Sequence, residues 1–137
     1  MSTGISAVRR MFNAFASGDV SNANEYIHDD YVNPDSLERS ASHGPKSFEE
    51  NVKWLRNAFS DLDFSELEIV DGDGFVLARV IMSGRHTGDL VGQPPTGRSF
   101  YQEQLHLCQI NSGKIAHHRD WRDDLGVFRQ LGLPKIS

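Results

Sequence analysis

The chain has 137 residues, of which 38% are hydrophobic and 24% charged, and its net charge is −5 at pH 7. This length suits a single domain over residues 1–137, with a core large enough to enclose a pocket. An acidic chain lacks the basic face that nucleic acids and anionic membranes attract, so we expect neither as a partner.

Cysteine usage and the distribution of apolar residues point to the cytoplasm. Cys108 is the single cysteine, which excludes an internal disulfide and favours a reducing compartment. The first residues lack the apolar run of a signal peptide, and no segment approaches the ~20 apolar residues that span a bilayer. We therefore predict a cytoplasmic protein in which Cys108 is a small buried side chain.

The first part of the chain is predicted to be helical. Residues 5–17 place apolar side chains at helical spacing, and Gly18 suits the C-cap of this helix. A short second helix is predicted within residues 19–27, and Pro34 prevents its continuation. A third helix begins near Pro45, a residue that suits a first helical turn. The apolar stripe of this third helix comprises Phe48, Val52, Leu55 and Phe59.

The hydrophobic pattern then changes to period two, which indicates β-strands. Four strands are predicted, over residues 62–70, 75–88, 99–110 and 115–124. A short helical turn follows within residues 125–134. Helices that precede a meander of strands indicate an α+β fold. We expect N-terminal helices on the concave face of a strongly curved antiparallel or mixed sheet, forming a cone with a pocket between the two layers.

Alternation along the last two strands places polar side chains on the pocket side. Gln104 and His106 share one face of the third strand, and His118 and Asp120 share one face of the fourth. Strands paired symmetrically about the NSGK turn set His106 opposite Arg119, whereas a shift of one residue sets it opposite Asp120. Both registers stay open on the sequence alone.

The other face of the third strand is also partly apolar. Leu105 and Leu107 lie on it, away from the predicted pocket. Covered apolar side chains on both faces of a sheet fit a subunit interface. We therefore expect a homo-oligomer, either a homodimer or a homotetramer.

Asp120 and His106 are the candidate catalytic residues. A carboxylate in an apolar cavity is poorly solvated and accepts a proton from carbon more readily. The alternative for Asp120 is a structural ion pair with Arg119 or Arg122. His106, with Gln104 beside it, suits holding a carbonyl group and stabilising a developing enolate. The alternative for His106 is a hydrogen-bonded histidine of the core.

Further candidate substrate-binding residues surround this pair. Asn51 borders the apolar stripe of the third helix, where an amide is either satisfied in the core or lines the pocket. Phe15 and Trp54 are either core aromatics or the walls that a flat aromatic substrate needs. Asn33, which a following proline holds extended, and His118 complete the set.

The histidines do not have the spacing of a metal site. Neither H-E-x-x-H nor H-x-x-E-H occurs, and His117 and His118 point to opposite faces of one strand. The DGDG segment at 71–74 lacks the spacing of a calcium loop, and SGK at 112–114 lacks the rest of a phosphate-binding loop. We expect no bound metal.

Motifs along almost the whole chain are together typical of one family. They include FNAFASGD, DDYVNPD, the GRHTG strand end, the PPTG loop and GKIAHHRDW. In this order they resemble the SnoaL-like polyketide cyclases of the nuclear-transport-factor-like α+β cone superfamily. The trio Gln104, His106 and Asp120 resembles the members that act on nogalonic- and aklanonic-type acid methyl esters.

The resemblance implies a cofactor-independent intramolecular aldol condensation that closes a ring of an aromatic polyketide in antibiotic biosynthesis. It implies that Asp120 is the general acid/base and takes a proton from carbon. It also implies that His106, aided by Gln104, hydrogen-bonds the oxygen that becomes the alkoxide or enolate. The expected partner is a small hydrophobic aromatic substrate.

Two alternatives stay open. One is another small-molecule enzyme on the same cone: a protein that assists polyketide hydroxylation, an isomerase, or a hydrolase. A hydrolase of this kind opens an epoxide with an Asp–Arg–Asp relay, for which Asp120, Arg122 and Asp124 are the candidates. The other alternative is a non-catalytic ligand-binding module, which would bind tightly without turnover.

Overall fold

The computed structural model describes residues 3–38 and 42–134. Within these ranges a single 3-10 turn, Ala23–Glu25, accompanies three α-helices and five strands. The helices and strands are, in chain order, α1 Thr3–Ser17, β1 Ile27–Val32, α2 Pro45–Ala58, β2 Phe59–Asp71, β3 Phe75–His86, β4 Ser99–Asn111, β5 Lys114–Trp121 and α3 Asp124–Leu131.

The five strands form one mixed sheet in the order β1-β5-β4-β3-β2. β1 runs parallel to β5, and the other neighbouring strands are antiparallel. α1 packs on β2, β3 and β5, α2 packs on β1 and β2, and α3 packs on β4. The predicted α+β fold is confirmed, with an open mixed sheet.

Two apolar clusters fill the space between helices and sheet. The first joins α1 and α2 to the sheet and includes Met11, Phe48 and Val76. The second lies towards α3 and consists of these buried residues, which pack against one another: Ala58, Phe59, Leu62, Met82, Leu90, Phe100, Val127, Phe128 and Leu131. Leu55 and Phe64 pack against both clusters, and the pocket described below lies along this boundary.

β1 is a strand that the sequence pattern did not indicate. The prediction placed a short helix over residues 19–27 and a loop after it, but only the 3-10 turn and then β1 are found. Ile27 and Tyr31 are the buried residues of β1, four positions apart, so strict alternation is absent. The register between β1 and β5 shifts along the strand, which accounts for this irregular burial.

The turn into α2 ties this helix to β1. Gly44 has a φ of +78°, which favours glycine, and a Cβ there would lie 2.7 Å from the Asp29 carbonyl oxygen. The Gly44 amide donates to the Tyr31 carbonyl oxygen at 2.8 Å. Pro45 then occupies the first turn, as predicted. These contacts fix the backbone of Tyr31, whose side chain enters the site.

The last residue of the predicted helical stripe belongs to a strand. Phe59 has extended backbone, with φ −129° and ψ 139°, and begins β2. It is nevertheless buried, and its ring centre lies 4.7 Å from that of Phe100. The stripe identified a core residue but assigned it to the wrong element, because Phe59 falls at helical spacing one residue past the end of α2.

Cys108 lies in the core, as predicted for a small apolar side chain. Its side chain is free and buried, and this burial raises the pKa of the thiol. Among the described residues, no helix combines the length and apolar character needed to cross a membrane.

Candidate active site

An irregularity in the β4–β5 hairpin sets the register of the site. Close to the turn, Ile110 pairs with Ile115, as a symmetric hairpin predicts. The register shifts by one residue on the far side of Ile110, as a β-bulge produces. His106 therefore faces Asp120 and not Arg119. Of the two registers left open by the sequence, the shifted one is found.

A pocket between the helices and the sheet brings the predicted site residues together. All eight line it: Phe15, Asn33, Asn51, Trp54, Gln104, His106, His118 and Asp120. Further walls are aromatic and come from three elements: Phe59, Phe64, Phe100 and Phe128. The roles assigned to the eight residues stay predictions. The structure establishes their convergence on one largely apolar enclosure.

Asp120 is a nearly buried carboxylate with few contacts. Its side chain is 6% exposed. Arg122 donates to Oδ1, and Asn33 Nδ2 lies 3.5 Å from Oδ2. His118 Nε2 lies 4.0 Å from the same Oδ2 atom. Asp120 is therefore both enclosed and ion-paired, and of the two arginines considered from the sequence, Arg122 is the one that pairs with it.

Asp35 ties the loop after β1 to β5. Its carboxylate accepts hydrogen bonds from Arg119 Nε at 2.6 Å and from the Asp120 amide at 2.9 Å. Arg122 donates to the Asp35 carbonyl oxygen at 2.8 Å. Burial acts to raise the pKa of Asp35, but these hydrogen bonds and the arginine charges outweigh it and hold the pKa below its ordinary value. The loop that carries Asn33 is thereby fixed beside Asp120.

A buried chain of hydrogen bonds lies next to Asp120. The Tyr31 hydroxyl lies 3.0 Å from His118 Nδ1. His118 Nε2 lies 2.8 Å from His106 Nδ1, and His106 Nε2 lies 2.8 Å from Gln104 Oε1. The Phe12 ring meets the His106 ring edge-on at 4.9 Å. These hydrogen-bonded side chains therefore lie within the core and form one wall of the pocket.

Burial keeps His106 and His118, the two histidines of this hydrogen-bond chain, neutral. It lowers the pKa of His118 to about 4, against a weaker opposing effect of the Asp120 charge. Burial also lowers the pKa of His106 well below its ordinary value, and the His118 and Arg122 charges act in the same direction. Burial raises the pKa of Tyr31 well above its ordinary value. At neutral pH these three groups therefore hold uncharged hydrogen-bonding atoms.

The neutral state of His118 predicts a loss of stability in acid. Unfolded histidine takes up a proton near pH 6.5, whereas folded His118 does so only near pH 4, so protons favour the unfolded chain between these values. The free energy of unfolding should fall as pH drops through this window, by about 3 kcal/mol from His118 alone. Urea unfolding at pH 7 and at pH 4.5 measures this loss.

Two variants separate the His118 contribution from that of other groups. His118→Gln removes the titrating imidazole and should lose markedly less stability on acidification than the wild type. His117→Gln is the matched control, because His117 is the neighbouring, less buried histidine of β5, and it should retain the full pH dependence. Equal losses in the wild type and His118→Gln would contradict the prediction.

His106, His118 and Asp120 form a group whose ligand atoms all lie within 4.8 Å, close enough to hold a metal ion. The facing nitrogens of the two histidines already share a hydrogen bond, and the Arg122 guanidinium already contacts Asp120. A metal ion would therefore have to break the first contact and displace a positive charge. The donor set fits a metal poorly in this arrangement, and the predicted absence of a metal stays a prediction.

Sequence reasoning missed Tyr31 and Asp35 as parts of the site. Tyr31 lies in β1, whose irregular burial hid the strand, and Asp35 lies in the loop that follows. Both lie in the DDYVNPD motif on which the family resemblance partly rests. That motif was the available signal, but it does not indicate which of its residues reach the pocket.

The arrangement suits proton transfer in an enclosed, largely apolar site. Asp120 supplies an acceptor, while Gln104 and His106 supply neutral hydrogen-bonding groups on the paired strand. Such groups, fixed in a low-dielectric enclosure, stabilise negative charge that develops on an oxygen. The site therefore has the parts needed to take a proton from carbon and hold the resulting anion.

Comparisons with known proteins show what this chain is similar to. The model of the family described as "SnoaL-like polyketide cyclase" matches residues 6–131. Aklanonic acid methyl ester cyclase AcmA of Streptomyces galilaeus is 45% identical over 135 residues, covering 98% of this chain and 94% of that protein. Nogalonic acid methyl ester cyclase of Streptomyces nogalater is 46% identical over 125 residues, covering 90% of this chain and 93% of that protein.

A solved structure shares the fold. TsrD from Streptomyces laurentii superposes on this chain with a TM-score of 0.81 and is 26% identical. The superposition covers 94% of this chain and 97% of TsrD. The element order and sheet described above therefore recur in a related experimental structure.

Proposed function

This chain belongs to the SnoaL-like polyketide cyclase family, and on that premise we propose that it closes a ring of an aromatic polyketide by cofactor-independent intramolecular aldol condensation. One observation carries the proposal. Asp120, a nearly buried carboxylate, faces His106 across paired strands in an apolar pocket. The substrate class is the one that the relatives' names give: the methyl ester of an aromatic polyketide acid.

Asp120 is the general acid/base of the proposed reaction. Its carboxylate takes a proton from a carbon activated by neighbouring carbonyl groups, and the C–H electron pair forms an enolate. The enolate carbon attacks a second carbonyl carbon of the same molecule, which forms the new C–C bond and leaves an alkoxide. The protonated Asp120 returns its proton to that alkoxide, so the product is an isomer of the substrate.

The two oxygens of Asp120 have different surroundings. Arg122 occupies Oδ1, whereas Oδ2 has only the long contact with Asn33 and the more distant His118 among the described partners. We assign proton abstraction to Oδ2, because its lone pairs are the less engaged. Arg122 then keeps the carboxylate in place through the catalytic cycle.

The aromatic pocket supplies the rest of the catalysis. A conjugated substrate spreads the enolate charge over its own carbonyl groups, so a single base suffices. The enzyme's remaining task is to hold the flexible chain of the substrate folded over its rings, and a well-oriented intramolecular reaction gains greatly from such proximity. Phe15, Trp54 and Phe100 offer flat walls for this purpose, and Asn51 offers a polar contact.

The direct test is an incubation of the purified chain with aklanonic acid methyl ester and, separately, with nogalonic acid methyl ester. Substrate and product have the same mass, so ring closure is followed by chromatographic retention and NMR. We expect cyclised product at a rate proportional to enzyme concentration. Tight binding of the ester without any turnover would identify a ligand-binding module and overturn the proposal.

One observation favours a second candidate, an epoxide-opening hydrolase. Arg122 donates to Asp124 at 3.2 Å and also contacts Asp120, and all three line the pocket. The Asp–Arg–Asp set considered from the sequence is therefore assembled. Incubation with styrene oxide tests it: diol formation that depends on both carboxylates would favour the hydrolase over the cyclase.

We also propose that the outer face of the sheet forms a subunit interface. Leu105 pairs directly with Trp121 on this face, and both are exposed; the exposed Tyr101 lies on the same face, four residues earlier in β4. Exposed apolar side chains grouped in this way are typical of protein–protein contacts. The interface would join two or four copies of the chain.

Light scattering during size-exclusion chromatography tests this oligomer. The wild type should elute with the mass of a homodimer or homotetramer at micromolar concentration. Trp121→Glu introduces a charge into the interface and should lower that mass to the monomer, whereas Glu49→Gln, at an exposed position of α2 on the other side of the sheet, should leave it unchanged. A monomeric wild type would contradict the proposal.

We propose a cytoplasmic location because the cysteine of this chain is a free thiol. Cys108 is free and fully buried, so it fits a reducing compartment and has no role in a disulfide. Fractionation of the native host, followed by immunodetection, would test this location.

A further inference from the structure

The buried hydrogen-bond chain has a defined starting direction. The Asp35 amide donates to Asn33 Oδ1 at 3.2 Å, which identifies the amide oxygen of Asn33. Asn33 Nδ2 therefore faces the Asp120 carboxylate, an acceptor, with Oδ2 at 3.5 Å. The Tyr31 side chain is fully buried, so its single hydroxyl hydrogen needs an acceptor, and His118 Nδ1 faces it at 3.0 Å; the phenol therefore donates to that nitrogen.

The donation from Tyr31 to His118 determines which nitrogen carries the proton in His118 and then in His106. A neutral His118 that accepts at Nδ1 carries its proton on Nε2 and donates to His106 Nδ1 at 2.8 Å. His106 then carries its own proton on Nε2 and donates to Gln104 Oε1 at 2.8 Å. The amide oxygen of Gln104 is thus engaged, and its Nε2 lies 3.1 Å from the sulfur of Met82, a weak acceptor.

We infer that Tyr31 and His118 are positioning residues that fix the Gln104 amide with its NH2 group towards the pocket, so that Gln104 and not His106 donates directly to the substrate oxygen. This inference rests on the proposed cyclase function for its role in catalysis. It revises the expectation that His106 donates to that oxygen with help from Gln104. His106 instead acts through Gln104, whose orientation it sets.

The arrangement links the two ends of the site. Asp120 Oδ2 lies 4.0 Å from His118 Nε2 at one end, and the hydrogen bonds from Tyr31 through His118 and His106 end on the Gln104 amide at the other. The base and the oxygen-binding donor are thereby held in one network of neutral groups. A substrate oxygen that displaces the weak Met82 contact gains a better-matched donor without reorientation of the amide.

Nitrogen-15 NMR of the histidine side chains tests the direction without any need for activity. We expect both His106 and His118 of the wild type to be neutral and protonated on Nε2 at pH 7. In Tyr31→Phe the donor to His118 Nδ1 is lost, and we expect a mixture of tautomers. A wild-type spectrum with either ring protonated on Nδ1 would overturn the inference, whatever the outcome of the cyclase assay.

Kinetics then test the assignment of Gln104. Gln104→Met keeps the length of the side chain and removes its NH2 group, and it should lower kcat about a hundredfold with little change in KM. Tyr31→Phe should lower kcat about tenfold, as expected for the loss of one hydrogen bond that acts indirectly.

Variants at His118 separate positioning from support of the fold. His118→Gln keeps a donor to His106 Nδ1 and should retain kcat within about threefold, whereas His118→Leu should lose activity to the extent of Tyr31→Phe or more. A Gln104→Met enzyme with wild-type kcat would overturn the inference while leaving the cyclase proposal intact. If the wild-type enzyme shows the expected tautomers but no turnover, the cyclase proposal is contradicted and the hydrogen-bond direction is retained.

Discussion

Asp120→Asn is expected to lower kcat for ring closure about a thousandfold while leaving the fold and substrate binding nearly unchanged. Asn has almost the same shape as Asp, and its oxygen still accepts a hydrogen bond from Arg122. It has no basic oxygen, so it neither takes a proton from carbon nor returns one to the alkoxide. Steady-state kinetics, with binding of the ester followed by fluorescence quenching, measure both effects.

Asp124→Asn is the matched control for this variant. Asp124 is the other carboxylate on the Arg122 guanidinium and also lines the pocket. Its replacement changes the charge next to Arg122 but removes no group with a role in the proposed proton transfer, so its effect on kcat should be far smaller. Equal losses in the two variants would show that charge on Arg122, and not proton transfer by Asp120, explains the loss.

Arg122→Met is expected to lower the free energy of unfolding by about 3 kcal/mol. The side chains of Arg122 and Asp120 are 19% and 6% exposed, so this variant leaves an almost buried carboxylate without its cation. The Asp35 carbonyl oxygen and the Asp124 carboxylate also lose their donor. Urea unfolding at pH 7 measures the change.

A double variant isolates the cost of the unpaired charge. Adding Asp120→Asn to Arg122→Met removes the buried carboxylate, so the double variant should be more stable than Arg122→Met alone. The size of the recovery is the coupling between the two residues. A double variant that is less stable than Arg122→Met would show that the pair is not what stabilises this region.

Much of the helical and strand architecture was predictable because its burial is regular. The stripes of α1 and α2 and the strict alternation of β4 follow from period 3.6 and period two, and the alternation correctly put Gln104 and His106 on the buried face. β1 was missed because three polar residues separate Ile27 from Tyr31. Local spacing there resembles a helix, and only the tertiary pairing with β5 makes it a strand.

The site was predictable as a set of residues but not as a network. Strand alternation, the helical stripe, aromatic character and the family resemblance selected eight residues, all of which line the pocket. The pairing of His106 with Asp120 depends on a β-bulge in the β4–β5 hairpin. The turn residues do not predict this bulge, because the pairing next to the turn is symmetric. The contacts of Tyr31 and Asp35 join positions more than 80 residues apart in the chain, about which short-range spacing says nothing.

Hydrogen–deuterium exchange at the activated carbon of the substrate tests most directly whether Asp120 removes a proton from carbon. The ester is incubated with enzyme in deuterated buffer, and deuterium at that carbon is followed by NMR in substrate and product. Wild-type enzyme should accelerate incorporation of deuterium well above the rate without enzyme, and Asp120→Asn should show only the rate without enzyme. Equal incorporation with the wild type and with Asp120→Asn would contradict the assignment of Asp120 as the base.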